Sequence, residues 1–231
     1  MYSWNITVVN KKSSVISLAI LQRIHQDVIS KVWTPGDFLD LGTQDAVRKT
    51  LQRLVLRQAL RRIDRGLYDQ LRINTLTGQL AAPDYQMVID AIGRRDQVRL
   101  LLDGMSAAND LGLTNAVPGK VIVHTDARLR SIKLDQLTIQ FKLTAPSKLY
   151  WADRPAMRVI QSLYWLRDSL KIGSLQDENI IQNKLLRLLQ DHKQGPVIRE
   201  DLFCGLHTLP SWMQDWIRHL LEQVKKDSAK E

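Results

Sequence analysis

Apolar residues near the start of the chain recur at helical spacing. In the segment 15–32 they stand three or four residues apart, which predicts one apolar face made of Val15, Leu18, Leu21, Ile24, Val28 and Ile29. Thr34-Pro35 is typical of a helix start, because proline at the first helical position lacks an N–H that would have no partner there. A second, short helix is therefore predicted from Pro35 to Leu41, ending at Gly42.

A third helix is predicted from Gln44 to Arg57, capped by Thr43, and its apolar stripe is Val47, Leu51, Leu54 and Val55. The period then changes: 59–63 is predicted as a short strand, 64–66 as a turn that uses Gly66, and 67–69 as the return strand. Helix, short helix, helix and hairpin in this order predict a winged helix-turn-helix over residues 15–74, whose third helix enters the major groove of DNA.

The rest of the chain predicts an α+β region followed by helices. The segment 75–83 is uncharged and rich in turn formers, so it is interpreted as a linker. A second domain, 84–150, is predicted to hold a small, mostly antiparallel sheet buried on one face, with helices at 84–93 and 106–111 and strands at 98–102, 120–125, 130–134 and 137–143. The segment 151–231 is predicted as a helical extension, with helices at 155–171, 177–192, 198–206 and 210–226.

The positive charge of the chain is concentrated in one segment. The formal net charge is +9, and residues 43–72 hold eight Lys and Arg against three Asp and Glu, a local excess of +5. A basic cluster of this kind is the electrostatic footprint of a nucleic-acid binder. Charge alone leaves open the alternative of a solvated surface in a mildly basic protein.

The polar face of the third predicted helix is the strongest functional signal. Glutamine can bond to adenine edges, and arginine or lysine can bond to guanine edges or phosphate. Residues 44, 48 and 52 are four apart and share a face, residues 49 and 53 lie on its flank, and the hairpin adds three arginines, although any exposed helix face is often basic. The predicted DNA-binding residues are Gln44, Arg48, Lys49, Gln52, Arg53, Arg61, Arg62 and Arg65.

Other chemistry gives no pattern in this sequence. There is no phosphate-binding glycine loop, no nucleophile elbow, no paired-carboxylate site and no metal-ligand spacing among the five histidines. Cys204 has no recognisable partner and is interpreted as a buried small hydrophobe. No stretch reaches 18 apolar residues. We therefore expect a soluble, cytoplasmic protein that has no catalytic activity, binds no cofactor or metal, and has no membrane partner.

Several segments resemble one family of proteins. They are VWTPGDFLDLG at 32–42, the apolar and basic residues of 46–55, IDRGLY at 63–68, DGMSAANDLGL at 103–113, VPGKVIVHTD at 117–126 and LTAP at 143–146. Over roughly residues 30–147 the chain thereby resembles the AbiEi antitoxins, which accompany nucleotidyltransferase toxins in bacterial type IV toxin–antitoxin systems. The middle segments are the more specific, because a generic winged helix would not carry them.

The resemblance implies a winged-helix domain that binds repeats in its own promoter and represses transcription, followed by an antitoxin domain. It leaves residues 1–14 and 151–231 unmatched. It implies that the antitoxin opposes the effect of the toxin on its target, while direct capping of the toxin stays open. Two other hypotheses remain: a transcription factor whose C-terminal part binds an effector or dimerises, and a module whose winged helix docks a protein.

Within the second domain, small residues and polar residues predict different roles. Ala107 and Ala108 are expected to pack on the sheet, because their size suits a close approach. Exposed polar residues beside them are the candidates for contacting a toxin or its target, although a solvated sheet edge would look the same. The candidates are Asn109, Lys120, His124, Asp126 and Arg128.

Overall fold

The computed structural model describes residues 11–26, 31–73, 78–116, 118–172 and 175–228. These residues form an α+β fold, as predicted, with a two-stranded sheet and a mixed four-stranded sheet. The chain divides into two compact units, residues 1–98 and residues 99–231, called here the first and second units.

The first unit is a winged helix-turn-helix followed by one helix. Its elements are α1 (Lys11–Gln26), a 3-10 helix (Pro35–Phe38), α2 (Gln44–Leu56), β1 (Arg61–Asp64), β2 (Leu67–Asp69) and α3 (Tyr85–Asp96). The antiparallel β1 and β2 form the wing, and Gly66 at its turn has a φ of 71°, a conformation that glycine adopts without strain. Trp33 extends this small sheet, since its N–H donates to the carbonyl of Tyr68 at 2.7 Å and its own carbonyl accepts the Tyr68 N–H at 2.9 Å.

The apolar stripe of α1 agrees with the prediction at Leu21 and Ile24 and differs from it at Val15 and Leu18. Val15 and Leu18 are 64% and 59% exposed, whereas Ile20 and Ile24 are buried against Phe38 and the apolar face of α2. The sequence carries two overlapping apolar rows, and the row with a four-residue step, not the row through Val15 and Leu18, faces the core. The predicted helix end at Val32 is also wrong, because residues 31 and 32 are not helical, and Val28 and Ile29 lie outside the described residues.

The segment predicted as a linker is tied to the wing at its C-terminal end. Within its described part, the Ala81 N–H donates to the carbonyl of Arg72 at 2.8 Å, and the Ala81 carbonyl accepts Nη1 of Arg61 at 2.8 Å. The following helix, α3, places Nη2 of Arg94 at 2.9 Å from the Val32 carbonyl and Nη1 of Arg95 at 2.6 Å from the Arg65 carbonyl. These bonds group α3 with the winged helix, whereas the sequence placed residues 84–93 in the second domain.

The described part of the second unit combines a four-stranded sheet with five α-helices and two short 3-10 helices, Pro146–Lys148 and Leu206–Thr208. Its elements are β3 (Leu100–Leu102), α4 (Gly104–Asp110), β4 (Lys120–Thr125), β5 (Ile132–Leu134), β6 (Leu137–Leu143), α5 (Met157–Ile172), α6 (Leu175–Gln190), α7 (Gly195–Gly205) and α8 (Ser211–Ser228). The strand order is β3-β4-β6-β5, and two of the three pairings are antiparallel. The third is parallel, with Val121 of β4 opposite Ile139 of β6. The strands and helices lie within a few residues of their predicted positions, and the sheet is mostly antiparallel as predicted.

The helices predicted as an extension share a core with the sheet. Leu101 of β3 belongs to the same buried cluster as Leu163 of α5, Leu202 of α7 and Ile217 of α8. The residues 151–231 are therefore an integral part of the second unit. Cys204 on α7 is exposed, so its prediction as a buried residue is wrong: it faces away from the side of α7 that carries Leu202 and Gly205.

No helix in the described part of the chain is both long enough and apolar enough to cross a lipid bilayer.

Candidate nucleic-acid interface

The helix α2 is held rigidly by its cap and by its buried face. Thr43 caps the N-terminus, its Oγ1 accepting the Ala46 N–H at 3.4 Å as the sequence predicts. Val47, Leu51 and Leu54 are at most 2% exposed and pack in the core of the first unit. Burying one face of the helix fixes the direction in which the opposite face points. A side chain that distinguishes nucleobases needs such a rigid support.

The opposite face of α2 carries the predicted donors. Gln44, Arg48, Lys49 and Gln52 are all exposed. Since a helix rises about 1.5 Å per residue, the row from Gln44 to Gln52 is about 12 Å long, close to the width of the major groove of B-DNA. The four side chains therefore present amide and cationic donors along one edge that a groove can accommodate.

Arg53 is only partly available on the flank of this face. Its Nε donates to the Lys49 carbonyl at 3.2 Å and its Nη2 to Oγ1 of Thr50 at 3.0 Å, so the side chain lies along the helix and is half-buried. Arg57, the C-cap residue of α2, lies four residues after Arg53 and is exposed. Arg57 was not among the predicted DNA-binding residues, although its spacing of four residues from Arg53 places it on the same flank of the helix.

The three arginines of the wing have different environments. Arg62 and Arg65 are exposed, and Arg62 Nε has one long bond of 3.4 Å to the Asp64 carbonyl. Arg61 instead forms a two-point ion pair with Asp69, at 2.9 and 2.5 Å. The hydrogen bonds to the Asp69 carboxylate raise the pKa of the Arg61 guanidinium. Arg61 therefore holds the two strands of the wing together, and Arg62 and Arg65 are the wing cations that face solvent.

Two of the five partner-surface candidates in the second unit are exposed. Lys120 begins β4, and Arg128 follows the strand. The alternation along β4 and β6 places Lys120 on the same face of the sheet as Gln140 and Lys142, which are also exposed. The sequence predicted this alternation, but Gln140 and Lys142 were not among the predicted partner-contact residues. The pairing of β4 with β6, which brings them beside Lys120, joins segments that are distant along the chain.

The other three candidates are engaged within the second unit. Asn109 Nδ2 donates to the Ala116 carbonyl at 2.9 Å, and Asp126 pairs with Arg99 at 2.8 Å, which lowers the pKa of the Asp126 carboxyl. His124 Nδ1 lies 3.0 Å from Oγ1 of Thr144. Burial, reinforced by the charge of Lys142, lowers the pKa of His124. These contacts position loops around the sheet and leave Lys120 and Arg128 as the candidates that face solvent.

The small residues of α4 are buried as predicted, although α4 packs mainly against α5 and not on the sheet. Ala107 and Ala108 of α4 are fully buried. Asp103 caps this helix, since its carboxylate accepts the Ser106 N–H at 3.0 Å and the Ile122 N–H at 2.9 Å and thereby joins α4 to β4. Among the described residues, no group of three or more His, Cys, Asp or Glu side chains is arranged to hold a metal ion.

Comparison with known proteins gives a family but no activity. The family DUF6088, described as a family of unknown function, matches residues 5–197. No curated protein matches the chain. The crystal structure of the RV2827C protein from Mycobacterium tuberculosis is similar at 17% sequence identity and a TM-score of 0.41, over 93% of this chain and 78% of that one. The family match covers residues of both units, and the resemblance to AbiEi antitoxins stays a prediction.

Proposed function

The chain belongs to the DUF6088 family, whose function is unknown, and we propose that it binds double-stranded operator DNA through α2 and the wing. In this proposal α2 lies in the major groove, and Arg62 and Arg65 of the wing contact the phosphate backbone beside it. The protein acts in the cytoplasm and represses the promoter of its own operon.

One observation carries this proposal: a rigid helix presents Gln44, Arg48 and Gln52 in one exposed row, beside a wing with two exposed arginines. Amides and guanidinium groups are the donors that pair with purine edges. The row and the wing belong to the segment that holds +5 of the net charge of +9, so the long-range field favours a polyanion. A protein partner would not require this combination of base-reading donors and phosphate-binding cations.

The salt dependence of binding distinguishes DNA from a protein partner. Each phosphate contact releases condensed counterions, so the affinity for duplex DNA should fall steeply as salt rises. With 6–10 contacts the fall is about 10³–10⁵ between 50 and 200 mM salt, and one copy with fewer contacts should show a smaller fall.

The test is fluorescence anisotropy with the promoter duplex upstream of the gene. Changing Arg48, Lys49 and Arg53 together to Ala should abolish specific binding. A matched variant with Arg187, Lys225 and Lys226 changed to Ala removes the same number of cations from exposed positions in the second unit and should bind as the parent does. Unchanged binding by the first triple variant would refute the assignment of α2.

The second unit is proposed to counteract a nucleotidyltransferase toxin, without catalytic activity of its own. Its support is the resemblance of segments 103–113 and 117–126 to AbiEi antitoxins, and the exposed Lys120 and Arg128 are its candidate contacts. Co-expression with the neighbouring reading frame, scored for growth, tests this role. The alternative is a regulator whose second unit binds an effector or dimerises; a neighbouring gene that is not toxic would favour it.

The proposed absence of catalytic activity has its own test. Hydrolysis or group transfer by the purified chain, lost on changing one of its side chains, would overturn the absence of catalysis.

A further inference from the structure

An open cavity of about 420 Å³ lies in the second unit, between the loop before α5, the exposed side of α5, and the turn after α7. This volume is in the range of pockets that bind small molecules. The lining residues that bear on its chemistry are Ser147, Lys148, Tyr150, Trp151, Tyr164 and Thr208. Aromatic rings, hydroxyl groups and one lysine therefore converge on one space.

The aromatic part of this cavity is accessible and held in place. Tyr150 and Tyr164 are 40% and 44% exposed, while Trp151 beside them is buried. The guanidinium of Arg154 lies 4.6 Å from the centroid of the Tyr150 ring and 5.0 Å from that of Trp151. Asp201 fixes Arg154 by accepting its Nε and Nη2, at 2.9 and 2.5 Å. Arg154 thus covers one face of the Tyr150 ring and restrains the ring, so a planar ligand would stack on the opposite face with little reordering, which lowers the entropic cost of binding.

The polar part of the cavity suits an anion. The Lys148 side chain is exposed and forms no ion pair among the described residues. The Ser147 hydroxyl lies on the same lining, whereas the Thr208 hydroxyl donates its proton to the Gly205 carbonyl at 2.8 Å and is left as an acceptor. A ligand with a flat aromatic ring and a phosphate would match both parts of the cavity.

We propose that this cavity binds a nucleotide, with its base stacked on the exposed tyrosines and its phosphate at Lys148. Proteins bind single nucleotides of varied sequence by combining aromatic stacking with a nearby cation, because every base offers a π-face and every nucleotide carries a phosphate. The ligand is either a free mononucleotide or an unpaired nucleotide of a single strand. The site belongs to the second unit and is distinct from the duplex contact of α2 and the wing.

Isothermal titration calorimetry of the full chain tests the proposal. The ligands are AMP, UMP, a short single strand of thymidines, adenosine and inorganic phosphate. The mononucleotides should bind more tightly than either adenosine or phosphate alone. Tighter binding of the single strand than of UMP would identify a nucleic-acid source for the ligand, and equal or weaker binding would identify a free nucleotide. Phosphate binding as tightly as AMP would overturn stacking, and no heat from any nucleotide up to the millimolar range would overturn the site.

Two variants and two controls locate the binding. Tyr164→Ala should weaken AMP binding about 5- to 150-fold, the range that loss of one stacked base gives. Lys148→Ala should weaken AMP but not adenosine. The controls Phe203→Ala and Lys193→Ala remove an aromatic ring and a cation from exposed positions outside the lining and should change nothing.

The outcome does not depend on one variant that could fail to fold. Lys148 is exposed on the short 3-10 helix Pro146–Lys148, so its substitution removes little packing. Circular dichroism checks that each variant is folded. AMP affinity that survives both Tyr164→Ala and Lys148→Ala would overturn the proposal. The variant with Arg48, Lys49 and Arg53 changed to Ala should bind AMP as the parent does, which separates this site from duplex binding.

Discussion

At the scale of single residues, Arg61 and Arg62 are neighbours on one strand with opposite roles. The Arg61 side chain is 25% exposed and its partner Asp69 is 10% exposed, and Arg61 also donates to the Ala81 carbonyl. Arg62 is exposed to solvent. Their order along β1 follows from the alternation of a strand, in which successive side chains point to opposite faces. Both arginines were predicted to bind DNA because a count of charges does not show which face of the strand has a carboxylate opposite it.

The first prediction contrasts these two arginines. Arg61→Ala should lower the free energy of unfolding by about 1–3 kcal/mol, because it leaves the Asp69 carboxylate without its charged partner. Arg62→Ala should change stability by less than about 0.5 kcal/mol but weaken binding to all duplexes, since it removes the proposed phosphate contact at the surface. Urea denaturation and anisotropy on both variants measure the two effects. Equal stability of the two variants would contradict the structural role of Arg61.

His124 is the second residue whose environment matters. Burial lowers its pKa, the nearby Lys142 lowers it further, and Asp103 opposes both. Oγ1 of Thr144 lies 3.0 Å from Nδ1 of His124 and donates to the Lys142 carbonyl at 3.1 Å. Because burial and the charge of Lys142 both oppose the imidazolium, the folded state favours the neutral imidazole.

The second prediction follows from the sign of this shift. The folded-state pKa lies below the unfolded value of 6.5, so the unfolded chain takes up the proton first. The contribution of His124 to stability is present above pH 6.5 and is lost as the pH falls through 6.5 toward the lower folded value. Thermal unfolding should therefore show a smaller loss of stability on acidification for His124→Asn than for the parent. His192→Asn, at an exposed position, is the control; a parent and a His124→Asn variant with parallel pH profiles would contradict this assignment.

At the scale of secondary-structure elements, local sequence signals gave the most accurate predictions where a single residue decides where an element begins. Thr43 begins α2, and Thr34-Pro35 begins the 3-10 helix, because capping and the fixed φ of proline act within a few residues. The stripe of α1 was mispredicted at Val15 and Leu18 because two apolar rows fit the same helix, and only packing against Phe38 and α2 selects between them. The parallel pairing of β4 with β6 depends on partners that periodicity cannot identify.

The contact between α4 and α5 depends on a glycine at the start of α4. Asp103 is the N-cap of α4 and Gly104 is its first residue, so the segment starts a helix. A Cβ at Gly104 would lie 2.6 Å from the Gln161 carbonyl oxygen and 2.6 Å from Cβ of Trp165, both on α5. The two helices are therefore too close for any side chain at this position.

The third prediction tests this close contact between α4 and α5. Gly104→Ala should destabilise the protein by about 1–3 kcal/mol, the usual cost of overpacking, because backbone on α5 must move. Gly119→Ala is the matched control, since a Cβ there meets nothing within 4 Å and its φ is not positive; it should be close to neutral. Chemical denaturation measures both variants. A Gly104→Ala variant as stable as the Gly119→Ala control would show that the helices separate at little cost.

At the scale of the whole molecule, the sequence located the winged helix and the α+β region but divided the chain differently from the structure. It placed the break in the uncharged segment 75–83, and the structure places it between Val98 and Arg99. The difference arises because composition indicates only which segments are rich in turn formers. The hydrogen bonds from Arg94 and Arg95 to winged-helix carbonyls join residues far apart in the sequence, so composition does not predict them. The helices after residue 150 likewise join the core around Leu101 through contacts that no local pattern reports.

The last prediction separates the two proposed roles by truncation. A fragment starting at Asp84 keeps the whole second unit and α3, whose cap is internal to the fragment, since Oδ1 of Asp84 accepts the Gln86 N–H at 2.8 Å. Its core retains Leu163, Leu202 and Ile217, so we expect it to fold, to lose binding to the promoter duplex, and to protect cells that express the cognate toxin. Circular dichroism, anisotropy and growth under co-expression measure these three properties. A folded fragment that fails to protect would show that neutralisation needs the winged helix, and a fragment that still binds the promoter would show that α2 and the wing are not the principal DNA contact.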